Sequence, residues 1–310
     1  MIETRNLRKR YGDFVAVDGI SFKVEPGQVL GFLGPNGAGK STTMKMLAGF
    51  LTPSEGSASI CGHDVVAASI EAKRQVGYLP EGAPSYGEMS VLGFLEFIAD
   101  IRGLAGESRR RQLDDAVGRL SLQGVLQQSV ETLSKGFKRR VGLAQAILHD
   151  PKVLILDEPT DGLDPNQKHE VRALIQAMAK DKTIIVSTHI LEEVHAVCNR
   201  AIIIARGQVL ADDTPAALEA RSRFHQAVSL SADNANAVRD VLVRIGDVAA
   251  VEIDAQDQRV TAFPRAGKAI FGAVVEALKS NGIQVREIAL EQGRLDEVFR
   301  QITTQAKETA

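Results

Sequence analysis

Gly34-Pro35-Asn36-Gly37-Ala38-Gly39-Lys40-Ser41-Thr42 comes directly after the apolar run Val29-Leu30-Gly31-Phe32-Leu33. The segment satisfies G-x-x-x-x-G-K-[ST] in the setting that gives this pattern its meaning, a buried strand feeding a loop that opens a helix. Its glycines tolerate dihedrals that a Cβ forbids, so successive backbone N–H groups can turn inward around a phosphate. Lys40 adds a point charge for the outer phosphates, and the Ser41 hydroxyl is placed to ligate Mg²⁺. The helix opening near Lys40 points its positive end at the same anion. Residues 34–42 therefore predict a nucleoside-triphosphate site at the edge of an α/β sheet.

Outward from this loop the chain alternates strand and helix. On the N-terminal side, Ile2, Leu7 and Val15 to Val24 alternate as strands, broken by turns at Tyr11-Gly12-Asp13 and Glu25-Pro26-Gly27. Residues 67–130 read as mostly helical, with one apolar face at Leu92, Leu95 and Phe97-Ile98 and another at Leu113, Val117 and Leu120. From Val153 the pattern returns to strand, helix, strand: Val153–Leu156, a helix over 167–180, Thr183–Ser187, a helix through Leu191–Val197, then Ala201–Ala205. Continuous apolar strands of this kind belong to a parallel sheet covered on both faces, so the expected core is doubly wound α/β. Gly207 and Asp212-Asp213-Thr214-Pro215 read as turns leading out of it. The segment from about 225 onward carries the order β-α-β-β-α-β, a split β-α-β, ferredoxin-like pattern without a catalytic constellation. It is expected to be a separate accessory domain for regulation or docking.

Composition sets limits. The chain has 310 residues, 44% hydrophobic and 25% charged, enough for one large domain or two modest ones. A formal net charge of −2 gives no global pull toward nucleic acid or anionic lipid. Arg109-Arg110-Arg111 stands beside Asp114-Asp115 and reads as a solvated helix face. Cys61 and Cys198 are too far apart to suggest a disulfide framework or a metal-ligand spacing, and both are expected to be buried small hydrophobes. Met1–Arg5 lacks the apolar stretch of a secretory signal, and the longest aliphatic runs fall far short of the ~18 residues that span a membrane. If the protein serves a membrane process, another chain is expected to cross the bilayer.

Three further segments narrow the chemistry. Asp157 and Glu158 end an apolar strand at its C-terminal edge, where α/β sheets hold ligands. The first suits Mg²⁺, and the second can orient and deprotonate an attacking water. In Leu133-Ser134-Lys135-Gly136-Phe137, Gly136 permits close approach and the next helix offers N–H groups to an anion. Finally, Thr188-His189 ends the strand over 183–187, which puts an imidazole beside Glu158 if the two strands are neighbours.

In their order, these motifs closely resemble the ATPase subunit of ABC transporters over residues 1 to about 220. The resemblance implies a P-loop NTPase domain of the ABC type with N-terminal antiparallel strands, a helical subdomain over about 82–150, and the accessory domain over 225–310. It makes Gly34–Thr42 the Walker A loop, Val153–Glu158 the Walker B strand, Leu133–Phe137 the signature and His189 the switch histidine. Asp161-Gly162-Leu163-Asp164 matches the D-loop, whose site residue is Asp164. Tyr11 matches the aromatic that stacks on adenine, with Val17 packed beside it. Two departures stand out: the signature most often ends Gly-Gly-Gln where this chain has Lys135-Gly136-Phe137, and the Q-loop glutamine position holds Glu81. A carboxylate there could still ligate Mg²⁺, while adding repulsion toward the γ-phosphate. Both variants, together with a C-terminal extension ending near Leu295–Phe299, resemble ATPases of ABC-2-type exporters, including the gliding-associated group.

The resemblance also implies ligands and partners. ATP and Mg²⁺ are the implied ligands, bound between Lys40 of one copy and Ser134, Lys135 and Gly136 of a second in a head-to-tail homodimer. The metal is implied at Ser41, Glu81 and Asp157. A separate transmembrane permease is the implied partner, docked near residues 81–105 with Met89, Leu92 and Phe94 as candidate contacts. The expected location is cytoplasmic, on the inner face of the cell membrane, and no nucleic-acid partner is expected. A non-transport ABC-type ATPase acting as a nucleotide-gated switch is the alternative.

Overall fold

The computed structural model describes residues 1–83 and 85–308, with side chains to Thr304. Pro84 in the expected Q-loop segment and residues 309–310 of the expected C-terminal domain lie outside the described residues. The chain divides into two compact units, Met1–Asp213 and Thr214–Ala310.

In the first unit the N-terminal alternation folds as β1 (Ile2–Tyr11) and β2 (Phe14–Val24), an antiparallel pair closed by the Gly12-Asp13 turn. β3 (Val29–Leu33) leads through the glycine-rich loop into α1 (Lys40–Leu47). β4 (Glu55–Ile60) pairs with β1, and the short β5 (His63–Asp64) with β4, giving a four-stranded antiparallel sheet in the order β2-β1-β4-β5. Next come α2 (Ser69–Arg74), β6 (Val76–Leu79), α3 (Val91–Ile101), α4 (Gly106–Arg119) and α5 (Lys135–Ile147). The alternation then resumes with β7 (Val153–Asp157), α6 (Pro165–Ala179), β8 (Thr183–Thr188), α7 (Leu191–Val197), β9 (Arg200–Ala205) and β10 (Gln208–Asp213).

The main sheet runs β10-β9-β3-β8-β7-β6, parallel from β9 to β6 and antiparallel only at the β9–β10 edge. Every residue of β3, β7 and β8 is buried, as strands covered on both faces must be. The two sheets share a core in which the Phe22 and Phe32 rings lie 5.7 Å apart, and α1 packs Met44, Met46 and Leu47 into it.

Two strands correct the sequence reading. β6 lies inside the segment expected to be mostly helical; its four residues are all buried, but the run is too short to display a period. β10 occupies the stretch expected to leave the core. Arg206 and Gly207 both have positive φ, the signature of a tight hairpin that returns the chain along β9. Cys198 is buried as expected, whereas Cys61, in the turn after β4 with φ 50°, is only half-buried. Phe94, a candidate permease contact, is 4% exposed because it lies on the buried face of α3; Met89 and Leu92 are half-buried.

The second unit opens with α8 (Pro215–Glu219), then β11 (Val228–Ala232), α9 (Ala235–Leu242), β12 (Val248–Ile253), β13 (Val260–Pro264), α10 (Phe271–Ser280), β14 (Val285–Leu290) and α11 (Leu295–Glu308). Its strands form one antiparallel sheet ordered β12-β13-β11-β14. α9 and α10 bury Val238, Leu242, Val274 and Leu278 against it, a core of its own.

Candidate functional site

The site grows from the C-terminal edge of the main sheet. β3 delivers the loop at the centre, and backbone demands fix its sequence. Gly39 has φ +102° and a Cβ there would stand 2.5 Å from the Ala16 carbonyl oxygen, so only glycine fits. Lys40 is 6% exposed, and its ammonium donates to the carbonyls of Gly34 at 2.7 Å and Pro35 at 3.2 Å. Burial lowers its pKa, opposed by the negative charges of Glu158, Asp157 and Glu81. Three carboxylates thus act on one cation.

The loop walls a cavity of about 300 Å³. Asn36, Gly37, Gly39, Lys40, Ser41 and Thr42 form one side, and Glu81 and Glu158 also line it. Gly34 and Ala38 form the buried underside, where the Ala38 carbonyl accepts from Gly207 N–H at 3.0 Å. The aromatic in the lining is Phe14, beside Ala16; Tyr11 is not a lining residue. The two are cross-strand partners at the tip of the β1–β2 hairpin, and the Lys9 ammonium sits 5.3 Å from the Tyr11 ring centre. Val17 is fully buried beneath Gly39.

At the ends of β7 and β8, parallel register places Asp157 opposite Ser187. Asp157 is 1% exposed; its Oδ1 accepts from the Ser187 hydroxyl, while its Oδ2 is buried with no hydrogen-bond partner. Glu158 has φ 51°, an unusual backbone conformation for a residue with a side chain, held by its N–H donating to the Ser187 carbonyl at 3.1 Å. Its Oε1 is 2.9 Å from Nδ1 of His189, an ion pair when the imidazole is protonated. The strands are neighbours, and the imidazole does meet the glutamate.

The remaining expected residues lie apart from that cavity. Ser134 caps α5, accepting from the Phe137 N–H at 3.3 Å, and is exposed with Lys135, while Gly136 is buried. A Cβ on Gly136 would come 2.6 Å from Oε1 of Gln167, so the signature helix and α6 touch there. Asp164 caps α6, accepting from the Gln167 N–H at 2.9 Å, and the Gln167 side chain returns to the Asp164 N–H, a complete capping box.

Two charged residues escaped the sequence reading. Arg139, on α5, is 4% exposed; it donates to the Pro80 carbonyl at 3.2 Å and lies 3.9 Å from Asp161. Burial lowers its pKa against the pull of Asp161, Glu158, Asp157 and Glu81. Glu193, on α7, is 3% exposed and accepts from the hydroxyls of Thr160 and Thr188. Adjacent like charges read as solvent-facing in sequence, yet Arg139 and Arg140 are both buried, and of Glu192-Glu193 only the second turns inward.

A glycine-rich loop at the carboxyl edge of a parallel sheet, facing acidic residues at the ends of neighbouring strands, defines a phosphate-loop nucleotide-binding protein. Residues 17–161 match the family model described as ABC transporter. Over 218 residues the chain is 39% identical to the Nod factor export ATP-binding protein I of Burkholderia orbicola (strain AU 1054), covering 70% of this chain and 72% of that one. It is 37% identical over 223 residues to a probable multidrug ABC transporter ATP-binding protein, YbhF, of Escherichia coli K12; the match takes in 72% of this chain but only 38% of YbhF. A solved structure of an ATP-binding subunit of an ABC transporter superposes with a TM-score of 0.67 at 30% identity, covering 71% of this chain and 92% of that one. The chain belongs to the ABC transporter family, among its ATP-binding proteins.

Proposed function

We propose that this chain binds ATP with Mg²⁺ and hydrolyses it as the energy-coupling subunit of an exporter of the ABC-2 type, whose membrane-spanning part is a separate chain. The observation that carries the reading is that Glu158 lines the phosphate-loop cavity, acts electrostatically on Lys40 and stands 2.9 Å from His189.

Each residue has a role in that reaction. Lys40 exchanges its carbonyl contacts for the β- and γ-phosphates. Glu158 takes the proton of the attacking water, a contribution of about 10²–10⁴-fold for a well-placed base. As an imidazolium His189 holds Glu158 through Nδ1–H, and its half-exposed ring leaves Nε2–H free to donate to the transferred phosphoryl group. Ser41, Asp157 and Glu81 are the proposed holders of Mg²⁺. The donor set fits: the buried, unpartnered Oδ2 of Asp157 calls for a cation or its water, and Mg²⁺ is commonly held by one or two carboxylates together with substrate phosphates. When bound, the ion neutralises charge developing on the phosphate oxygens.

The cavity is open on one side, and the exposed Ser134 and Lys135 at the N-terminus of α5 do not line it. In this reading two copies pair head to tail, each presenting Ser134, Lys135 and Gly136 to the triphosphate held by the other. A nucleotide specific for the closed state, at 100 times its dissociation constant, shifts the balance by ~2.7 kcal/mol. Phe50, Ile70 and Ile101 are 70%, 65% and 63% exposed around an apolar groove of about 720 Å³, rimmed by Lys73, Arg74 and Arg102. An amphipathic helix of the membrane chain would lay its apolar side there and its acidic side on the rim. The protein would then work at the inner membrane face. No helix among the described residues is long and apolar enough to cross a membrane.

Phosphate release from ATP by the purified protein, compared with Glu158→Gln, tests the proposal. The variant should lose at least ~100-fold in turnover and accumulate as an ATP-dependent dimer on size exclusion. Unchanged hydrolysis would remove Glu158 from its role, and a monomer under saturating ATP would remove the paired site.

A further inference from the structure

One buried carboxylate ties together the two loops that carry Glu158 and His189. Thr160, two residues beyond Glu158, is 2% exposed and donates its hydroxyl to Oε1 of Glu193. Thr188, immediately before His189, is also 2% exposed and donates to Oε2 of the same carboxylate at 2.7 Å. The ring closes on the cavity side through the 2.9 Å contact between Glu158 and His189. Thr188 Oγ1 in turn accepts from the Ile190 N–H at 3.0 Å, so the carboxylate also fixes the turn into α7. Arg172 on α6 stands 4.0 Å from Oε1 and offsets the buried charge.

We infer that Glu193 is a positioning residue that sets the separation of Glu158 and His189. The contact it controls lies at the cavity, whereas Glu193 is sealed behind the strand ends at 3% exposure, so it acts through the two threonines. Each carboxylate oxygen receives one hydroxyl, which gives both loops a fixed anchor on one rigid helix. Hydroxyl-to-carboxylate bonds are charge-assisted and stronger than neutral ones, and a buried hydroxyl deprived of its acceptor is costly. A glutamine offers one carbonyl oxygen for two hydroxyl donors and leaves Arg172 without its counter-charge. One hydroxyl must then turn from donor to acceptor of the amide N–H, giving up a charge-assisted bond, so the anchor on that loop is weakened. A misplacement of about 1 Å at a reacting centre can cost about 10²-fold in rate.

The inference rests on the hydrolytic function proposed for this site, and its test carries one readout independent of hydrolysis. Glu193→Gln in the full chain should bind a fluorescent ATP analogue within about twofold of wild type and lower kcat by about 10–100-fold with KM little changed. Thr160→Val and Thr188→Val keep the side-chain shape and should each lower kcat; combined, they should lose much less than the product of the single effects, because both work through one carboxylate. Amide hydrogen exchange without nucleotide should speed up by about tenfold or more over 158–161 and 188–191 in Glu193→Gln, with β3 and β7 unchanged. Unchanged exchange in those two segments, a rise in KM at constant kcat, or fully multiplicative threonine effects would each overturn the positioning role. Wild-type protein that binds ATP but never hydrolyses it would overturn the proposed function and leave the exchange result to decide on Glu193.

Discussion

The carboxylate of Glu158 and Nδ1 of His189 meet at 2.9 Å although the residues are 31 apart in sequence, because β7 and β8 run parallel in a register that pairs Asp157 with Ser187. A donor on the imidazole fixes the carboxylate oxygen that faces it and leaves the other oxygen for a water. Replacing His189 by alanine removes both this orientation and the donor for the phosphoryl group. We expect kcat to fall by about 100-fold with nucleotide affinity nearly unchanged, since a preorganised donor at a reacting centre contributes on that order. Steady-state phosphate release and equilibrium binding on the same preparation check this. A variant whose loss lies entirely in affinity would make His189 a binding residue.

Phe14 is 62% exposed and lines the phosphate-loop cavity, while Tyr11 across the hairpin does not. An adenine ring held at that wall would stack on Phe14. Base–aromatic stacking is worth about 1–3 kcal/mol, so Phe14→Ala should weaken binding of a fluorescent ATP analogue by about 5–160-fold. Tyr11→Ala should change it by less than about threefold. The reverse ranking would return the stacking role to Tyr11.

That pair of aromatics shows where the sequence stops speaking. Both flank one turn, both stand on strands, and their side chains differ only by a hydroxyl; which one faces the nucleotide depends on how the hairpin twists over the loop. The phosphate loop was legible because its glycines meet demands no other residue satisfies, as Gly39 shows with its +102° φ against the Ala16 carbonyl. The parallel strands were legible because burial on both faces forces an unbroken apolar run. β6 was not, since Val76–Leu79 is equally apolar but too short to tell from a turn of helix. Glu193 was hidden for another reason. Glu192 and Glu193 are adjacent acids in the first turn of α7, and only packing against β8 decides that the second is buried and the first exposed.

The two units have separate cores. Buried residues of the first cluster run from Ile2 to Ile204, and those of the second centre on Val228, Val238, Val260 and Val274. We expect a chain ending at Asp213 to unfold in one cooperative transition and to bind ATP within about threefold of the full-length protein, because all residues lining the cavity precede that point. Calorimetry and nucleotide titration decide it. A truncated chain that folds but no longer binds would assign part of the site to the second unit.

His149 couples stability to mild acid. Its Nε2 lies 3.1 Å from the Val76 carbonyl, its Nδ1 is buried without a partner, and burial, helped by the charge of Arg102, pushes its pKa down from 6.5 to about 4. The native state therefore keeps this imidazole neutral where the unfolded chain protonates it. Between pH 6.5 and 4 the unfolded state binds the extra proton, so this group leaves stability untouched above pH 6.5, erodes it as the pH falls, and stops eroding it below 4. At about 1.36 kcal/mol per pKa unit the full loss is about 3 kcal/mol. Carboxylates titrate mainly below about pH 5, so the interval from 6.5 to 5 separates this histidine from them, and the comparison with a His149 variant separates it from the other imidazoles. Over that interval the urea midpoint of the wild type should drop, whereas His149→Gln, which can still donate to the Val76 carbonyl but carries no titratable group, should stay nearly flat. Parallel curves for the two proteins would show that His149 is not held neutral in the fold.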